Sequence, residues 1–275
     1  MISPGARIAK WVVLALALIW SAVPVGFVVI SSFKTNAQIF GYPPALIFQP
    51  TLVHYQNLLR QWPDFLRTLG NSLVVSVLAT VLCVLASVLA GYVYSRYRSG
   101  FLAGSAYFMI GIRLLPPIVV TLPLFPLANA LNLNDTYAIL IALYAAFFVS
   151  LSTLIMKSFM DGIPLELDQA AIIDGASELQ YLFRIVFPLA AQGMVAVSVF
   201  VLVYSWNEYL FAFIFTTTNA KTAPLILAEM MGAITGVDWG VLFAAVTAQL
   251  VPVVGFVIAA QRFLISGLTA GAIKG

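Results

Sequence analysis

The chain has 275 residues, of which 62% are hydrophobic and only 8% are charged. Soluble domains carry about 25% charged and about 45–50% apolar residues, so this composition excludes an ordinary soluble protein. The formal net charge is only +3, which excludes a nucleic-acid-binding surface. The one cysteine, Cys83, cannot form an intrachain disulfide or a thiolate metal cluster. The composition therefore predicts an all-α integral membrane protein in a lipid bilayer.

Six apolar segments are long enough to cross the hydrocarbon core, for which about 20 residues suffice. The first has a longer apolar run than a secretion-signal core, so we expect a retained helix. The third carries Arg113 and four prolines, which predicts a kinked or broken helix supported by neighbours. A single transmembrane domain (1–275) is therefore predicted, with spans at about 11–33, 68–95, 102–126, 136–156, 189–215 and 239–261.

Lys and Arg are unequally shared between the two sides of a six-span protein. The side with both termini carries eight and the other side carries four, with Arg113 inside a span. This bias predicts that both termini are cytoplasmic. On the other side, the long loop 34–67 is rich in proline and aromatic residues, which predicts an irregular outer segment. His54 lies there without Cys, Asp or Glu at ligand spacing, so we expect an interfacial residue and no metal site.

The cytoplasmic loop 157–188 is the least membrane-like part of the chain, and its pattern predicts two short helices. Pro164 suits a first helical position, Glu166 and Asp168 place negative charge in the first turn, and Gly175 supplies a left-handed stop. For the second helix, Ser177 and the glutamine three residues later form a capping box, and a proline at 188 closes it. Two interpretations remain open: a docking surface for a soluble partner, or an interfacial helix packed on its own bundle.

Residues 164–188 resemble the cytoplasmic EAA loop of permease subunits in binding-protein-dependent ABC importers. That pattern runs Glu-Ala-Ala, three residues, Gly, then about nine residues to Ile-x-x-Pro, and it is matched by Gln169-Ala170-Ala171, Gly175 and Ile185 to Pro188. The stretch 173–177 is similar to the carbohydrate-uptake branch. Further similarities at 32–35, 206–208, 239–240, 261–263 and 267–275 extend nearly end to end and resemble the smaller permease subunit of maltose-type importers.

The resemblance implies the ABC type I importer permease fold, with a cytoplasmic EAA coupling helix. It also implies a second homologous permease subunit, two ATPase subunits, an extracytoplasmic solute-binding protein and a sugar substrate, in a bacterial or archaeal plasma membrane. The chain has no Gly-x4-Gly-Lys-Ser/Thr phosphate loop, so ATP and Mg are expected in the partner ATPases and this chain is not expected to be an enzyme or to bind a cofactor. The implied contacts with the ATPases are the coupling-helix residues Glu166, Asp168, Gln169, Ala170, Ala171, Asp174 and Gly175, and the tail (262–275) residues Gly271 and Lys274.

One position departs from the family pattern. The glutamate of the motif is replaced by Gln169, which is neutral, so the ion pair that this glutamate makes with the ATPase in relatives cannot form in the same way. Gln169 can still donate and accept hydrogen bonds. Glu166 and Asp168 are candidates to supply the missing charge.

Ionisable residues within the spans are costly in lipid and suggest a substrate pathway. Glu208 lies beside Trp206 and Asn207, a combination that suits a sugar, and Arg113 is a candidate partner for Glu208. The alternative is architectural, with the aromatic residues in an interfacial belt and Glu208 paired across helices. The alternative function classes are an ion-coupled secondary transporter, a passive membrane channel subunit and a membrane enzyme. An ion-coupled secondary transporter would require inverted repeats and carboxylates deep in the membrane.

Overall fold

The structure is a computed structural model that describes residues 4–44, 47–234 and 236–271, with side chains given as far as Gln261. The described residues are helical or irregular, and none of them lies in a strand. The helices in chain order are α1 (Pro4–Ser31), α2 (Asn36–Ile39), α3 (Val53–Gln61), α4 (Phe65–Arg96), α5 (Gly100–Ile112), α6 (Pro117–Ala130), α7 (Tyr137–Met160), α8 (Glu166–Ile173), α9 (Glu178–Tyr181), a π-helical turn (Leu182–Val186), α10 (Phe187–Leu189), α11 (Ala191–Trp206), α12 (Leu210–Phe215), α13 (Ala223–Met231) and α14 (Trp239–Gly271).

In the described part of the chain, four unbroken helices are long and apolar enough to cross a membrane, and the number rises to six if each of two bent pairs is one span. The unbroken candidates are Gly5–Ser31, Phe65–Arg96, Tyr137–Met160 and Trp239–Gln261. One bent pair is α5 and α6, which meet at 97° around the break at 113–116. The other pair bends by 71° at Ala190, where the α9–α10 segment gives way to α11.

The region predicted as the fifth span is interrupted. α11 ends at Trp206 and α12 begins at Leu210, so Asn207, Glu208 and Tyr209 lie in a break rather than inside one continuous helix. The carboxylate of Glu208 accepts hydrogen bonds from the N–H groups at the start of α12, which stabilises a new helix start at that point.

The loop 34–67 was predicted to be irregular, and that prediction is wrong in part. It contains α2 and the two-and-a-half-turn helix α3. His54 and Leu58 are both buried in α3, and their spacing of four residues places them on one helical face. The burial of this face explains why a proline-rich loop includes a helix.

The chain divides into two compact units with separate cores. The first comprises 1–67 and 226–252, and its core is built from α3, α13 and the beginning of α14. The second comprises 68–225 and 253–275, and its core includes fully buried residues of α4, α7 and α11, such as Val88, Met156 and Val197. Within the second unit, α4 and α7 approach closely, because a Cβ added at Gly91 would lie 2.8 Å from the Cβ of Met156.

Candidate functional site

The EAA loop (164–188) begins with α8, which lies in the second unit. Glu166 and Asp168 occupy its first turn, where the helix dipole favours their negative charge. The prediction that Pro164 is the first helical position is wrong by two residues. The Leu167 N–H bonds to the Pro164 carbonyl across three residues, at 3.3 Å, so the chain at Pro164 forms a turn before the α-helix begins.

The end of α8 has the hydrogen bonds of a Schellman motif. Gly175 has a φ of +73°, its N–H donates to the Ile172 carbonyl at 3.1 Å, and the Ala176 N–H donates to the Ala171 carbonyl at 3.0 Å. The predicted left-handed stop at Gly175 is therefore confirmed. A glycine suits this position because a Cβ is disfavoured at positive φ.

The second helix of the EAA loop starts with the predicted capping box. The Ser177 hydroxyl accepts from the Gln180 N–H at 3.3 Å, and the Gln180 side chain accepts from the Ser177 N–H at 3.0 Å. The prediction that Pro188 closes this helix is wrong, because α10 continues to Leu189. Pro188 lies in the first turn of α10, where its missing N–H is tolerated.

The inner face of α8 is attached to α4 and α9 by side chains that sequence reasoning did not connect. The Nε of Arg96, at the end of α4, lies 2.7 Å from Oδ2 of Asp168, and the Tyr181 hydroxyl donates to Oδ1 of Asp168. Burial raises the pKa of Asp168 above its ordinary value, and the Arg96 guanidinium acts in the opposite direction. Asp168 is therefore paired within the chain.

A cavity of about 400 Å³ lies against this face of α8. Its walls include Tyr92 and Tyr97 of the α4 end, Ala171 and Ala176 of the EAA loop, and Glu178. The Tyr97 hydroxyl donates to Glu178, and this hydrogen bond raises the pKa of Tyr97. Small side chains on the EAA loop thus leave space between it and the end of α4.

The outer face of α8 is free to contact a partner. The predicted contact residues that are exposed are Glu166, Gln169, Ala170, Asp174 and Gly175. Ala171 is buried at 5% exposure, and Asp168 is half-buried by its contacts with Arg96 and Tyr181. Ile172 and Ile173 were not among the predicted contacts, yet they are 73% and 84% exposed. Ile173 adds an apolar side chain to the polar outer face, whereas Ile172, four residues after Asp168, lines the cavity on the inner face. Their signal in the sequence was two consecutive isoleucines in a short helix outside the spans.

Asp135 holds another loop of the same unit. Its carboxylate accepts hydrogen bonds from the consecutive N–H groups of residues 217–220 at 2.9–3.2 Å. Burial raises the pKa of Asp135, but these four N–H groups outweigh it and lower the pKa to about 2. The Asn71 side chain also donates to the carbonyls of Asn219 and Lys221, each at 2.8 Å. This loop (216–222) is therefore fixed by both its N–H and its carbonyl groups.

The structure separates the two charged residues of the predicted substrate pathway. Arg113 lies at the break after α5, where it donates to the Ser150 hydroxyl at 3.4 Å and stands 5.6 Å from the ring centre of Phe147. Glu208 accepts from the Phe211 N–H at 2.9 Å and lies beside Tyr144. The suggested Arg113–Glu208 ion pair is wrong, because each side chain is engaged by these other groups within the described residues.

The other predicted pathway residues differ in exposure. Trp206 is only 1% exposed and its ring packs 5.9 Å from that of Phe256, which fits the architectural interpretation. Asn207 is exposed and donates to the Val203 carbonyl at 2.8 Å. Asn207 and Glu208 thus lie at a helix break beside the aromatic residues of α7 and α12.

His54 is a packing residue of the first unit. It is 3% exposed, and its Nε2 lies 2.7 Å from the Lys34 carbonyl oxygen. Its ring packs so closely on Gly240 that a Cβ added there would overlap it. His54 is therefore buried inside the protein, which the sequence did not predict. In 4–44, 47–234 and 236–271, the structure contains no cluster of three His, Cys, Asp or Glu residues suited to a metal ion.

The predicted tail is helical over most of its length. α14 runs without a break to Gly271, so the segment after Arg262 continues the last helix. Lys274 lies outside the described residues.

Comparison with known proteins decides the family. The family described as "Binding-protein-dependent transport system inner membrane component" matches residues 83–267, which include α8 and the whole EAA loop. The chain belongs to this family. It is a permease subunit of an ABC importer, a transport component rather than an enzyme, and such importers work with ATPase and solute-binding-protein partners.

Two relatives and one solved structure illustrate the similarity. The "Trehalose/maltose transport system permease protein MalG" of Thermococcus litoralis is 31% identical over 278 residues, covering 98% of this chain and 99% of that protein. The "Sulfoquinovosyl glycerol transport system permease protein SmoH" of Agrobacterium fabrum is 32% identical, covering 97% and 93%. A bacterial ABC transporter involved in the import of the acidic polysaccharide alginate matches with a TM-score of 0.78 at 19% identity, covering 95% of this chain and 98% of the other. These findings confirm the type I importer permease fold and do not favour a secondary transporter or channel.

Proposed function

We propose that this permease forms half of the translocation pathway of an ATP-driven importer for a sugar or sugar-like solute. The observation that carries the proposal is α8, a short helix whose inner face is attached to its own unit and whose outer face exposes Gln169, Ala170 and Ile173. That arrangement suits docking to a soluble ATPase. The names of MalG and SmoH, which refer to carbohydrates, support a substrate of this class.

The partners follow from the same proposal. A second homologous permease would complete the pathway, two cytoplasmic ATPase subunits would bind ATP and Mg, and an extracytoplasmic protein would deliver the solute. Closure of the ATPases would displace α8, and the spans would then alternate between inward-facing and outward-facing arrangements. The tail (262–275), with Gly271 and Lys274, is proposed as an additional contact with the ATPases.

The orientation is also a proposal. The excess of Lys and Arg on the side of both termini supports a multi-pass protein of the plasma or inner membrane with cytoplasmic termini. The EAA loop would then face the cytoplasm.

The solute would pass near the break at 207–209. Glu208 and Asn207 present polar groups there, and Arg113 lies beside Phe147, whose ring is 5.6 Å from that of Phe211 in α12. Hydrogen-bonding groups among aromatic rings suit a sugar, which has polar hydroxyls and an apolar face.

The test is to purify the tagged permease in mild detergent and identify the co-purifying proteins by mass spectrometry. We expect an ATPase and a second permease, and ATP-dependent uptake after reconstitution with the solute-binding protein and its sugar. A chain that purifies alone and moves solute in vesicles without ATP would overturn the proposal and indicate a secondary transporter.

A further inference from the structure

Arg96 joins three segments at the EAA-loop end of the second unit. Besides its ion pair with Asp168, its Nη1 donates to the Met160 carbonyl and its Nη2 to the Ile163 carbonyl, each at 3.2 Å. Met160 is the last residue of α7, and Ile163 lies in the turn that leads to α8. Because a guanidinium presents its donors in a rigid planar fork, these bonds together fix α8 relative to the ends of α4 and α7.

Neighbouring contacts strengthen the same junction. The Ser95 hydroxyl donates to Asp161 at 2.8 Å, and Lys157 pairs with Asp161 at 2.6 Å, so the turn after α7 is held from two helices. The Arg96 side chain is only 6% exposed. Low exposure weakens screening by water and strengthens the pair with Asp168 compared with an ordinary surface ion pair.

The two long helices that Arg96 contacts, α4 and α7, are closely packed against each other. At Gly91, five residues before Arg96, α4 packs against the α7 backbone so closely that an added Cβ would lie 3.0 Å from the Lys157 nitrogen. A displacement of α8 that is passed to α4 would therefore also move α7. The opposite face of α8 is exposed, so a force applied there has few other attachments to act through.

We propose that Arg96 is the positioning residue that transmits displacement of α8 to α4 and α7, through its pair with Asp168 and its two carbonyl contacts. The inference rests on the proposed function of α8 as the ATPase-driven helix. If the pair is broken, α8 follows the ATPases while the spans respond incompletely, and ATP is hydrolysed without import.

The experiment uses the complete importer in liposomes and measures the ATP hydrolysed per solute imported, normalised to assembled complex. Asp168→Asn removes the charge of the pair but keeps an oxygen for Tyr181 and leaves the Arg96 carbonyl contacts intact. Arg96→Lys keeps the charge and loses the fork. We expect each of these two variants to raise the ATP hydrolysed per solute imported by about two- to thirtyfold. This is the range of effects on coupling that mutations along a coupling network produce.

Arg98→Lys is the matched control for Arg96→Lys, because it makes the same substitution two residues further along the chain, at an exposed side chain. We expect its ratio to equal that of the wild type. The inference is overturned if Asp168→Asn and Arg96→Lys both keep the wild-type ratio, or if Arg98→Lys raises it as much as Arg96→Lys does. Failure of the wild-type complex to import with ATP would instead overturn the proposed function.

Discussion

Gly175 shows how one backbone conformation can matter to the EAA loop without any tight packing. Its φ is +73°, yet a Cβ added there would meet no heavy atom of the described structure within 4 Å. The space is open, so only the backbone conformation disfavours other residues. Non-glycine residues pay about 1–2 kcal/mol in this region, and asparagine tolerates it better than a β-branched residue does.

We therefore expect Gly175→Val to distort the end of α8 and reduce ATP-driven uptake severalfold, while the amount of permease in the membrane is unchanged. Gly175→Asn is the matched control and should retain most of the uptake. Uptake in vesicles and immunoblots of membranes measure the two quantities. Normal uptake by the valine variant would show that this turn does not matter for coupling.

The contribution of Asp135 to the stability of the fold should depend on pH. Its folded-state pKa of about 2 lies below the ordinary unfolded value of about 3.9. The ionised carboxylate therefore stabilises the folded protein at pH values above about 3.9. This stabilisation is lost as the pH falls from about 4 towards 2. Asp135→Asn should lower the free energy of unfolding by about 1–2 kcal/mol at pH 7, because four charge-assisted bonds become neutral or are lost.

Thermal unfolding in detergent at pH 7 and pH 3 checks this prediction. The difference between wild type and Asp135→Asn should be smaller at pH 3. A difference that is independent of pH would mean that the shape of the side chain, and not its charge, holds the loop 216–222.

At the scale of elements, the close approach of α4 and α7 depends on Gly91. A Cβ there would lie 2.8 Å from a side-chain atom of Met156 and 3.0 Å from the backbone of α7, which cannot easily move. We expect Gly91→Ala to lower the thermal stability of the permease by several degrees, in line with overpacking penalties of about 1–3 kcal/mol.

Gly104→Ala is the control for that substitution. Gly104 lies within α5, and an added Cβ would have open space among the described residues. Because alanine favours helix over glycine by about 1 kcal/mol, we expect unchanged or slightly higher stability. Equal losses for the two variants would contradict close packing at Gly91.

The sequence allowed prediction of the features that depend on nearby residues. The capping box at Ser177 and the left-handed turn at Gly175 are set by spacings of a few residues, and both are confirmed. The pair between Arg96 and Asp168 joins residues 72 positions apart, so it depends on how helices pack and left no local signal. The burial of His54 was missed for the same reason, since its contact is with a glycine of α14.

At the scale of the whole molecule, α4 connects two anchored regions of the second unit. Asn71 near its start holds the loop 216–222, and Arg96 at its end holds α8. The 25 residues between them span about 37 Å at a rise of about 1.5 Å per residue, more than the roughly 30 Å thickness of a hydrocarbon core. The two regions therefore belong on opposite sides of the membrane.

This separation predicts the result of thiol labelling in intact cells. Cys83 is fully buried, so it contributes little background, and exposed residues at each end can be replaced singly. With cytoplasmic termini, a membrane-impermeant maleimide should label Thr217→Cys in intact cells, whereas Arg98→Cys should react only after permeabilisation. The wild-type chain is the control for Cys83. Reversed labelling would invert the proposed orientation, and labelling of both positions in intact cells would contradict the crossing of the membrane by α4.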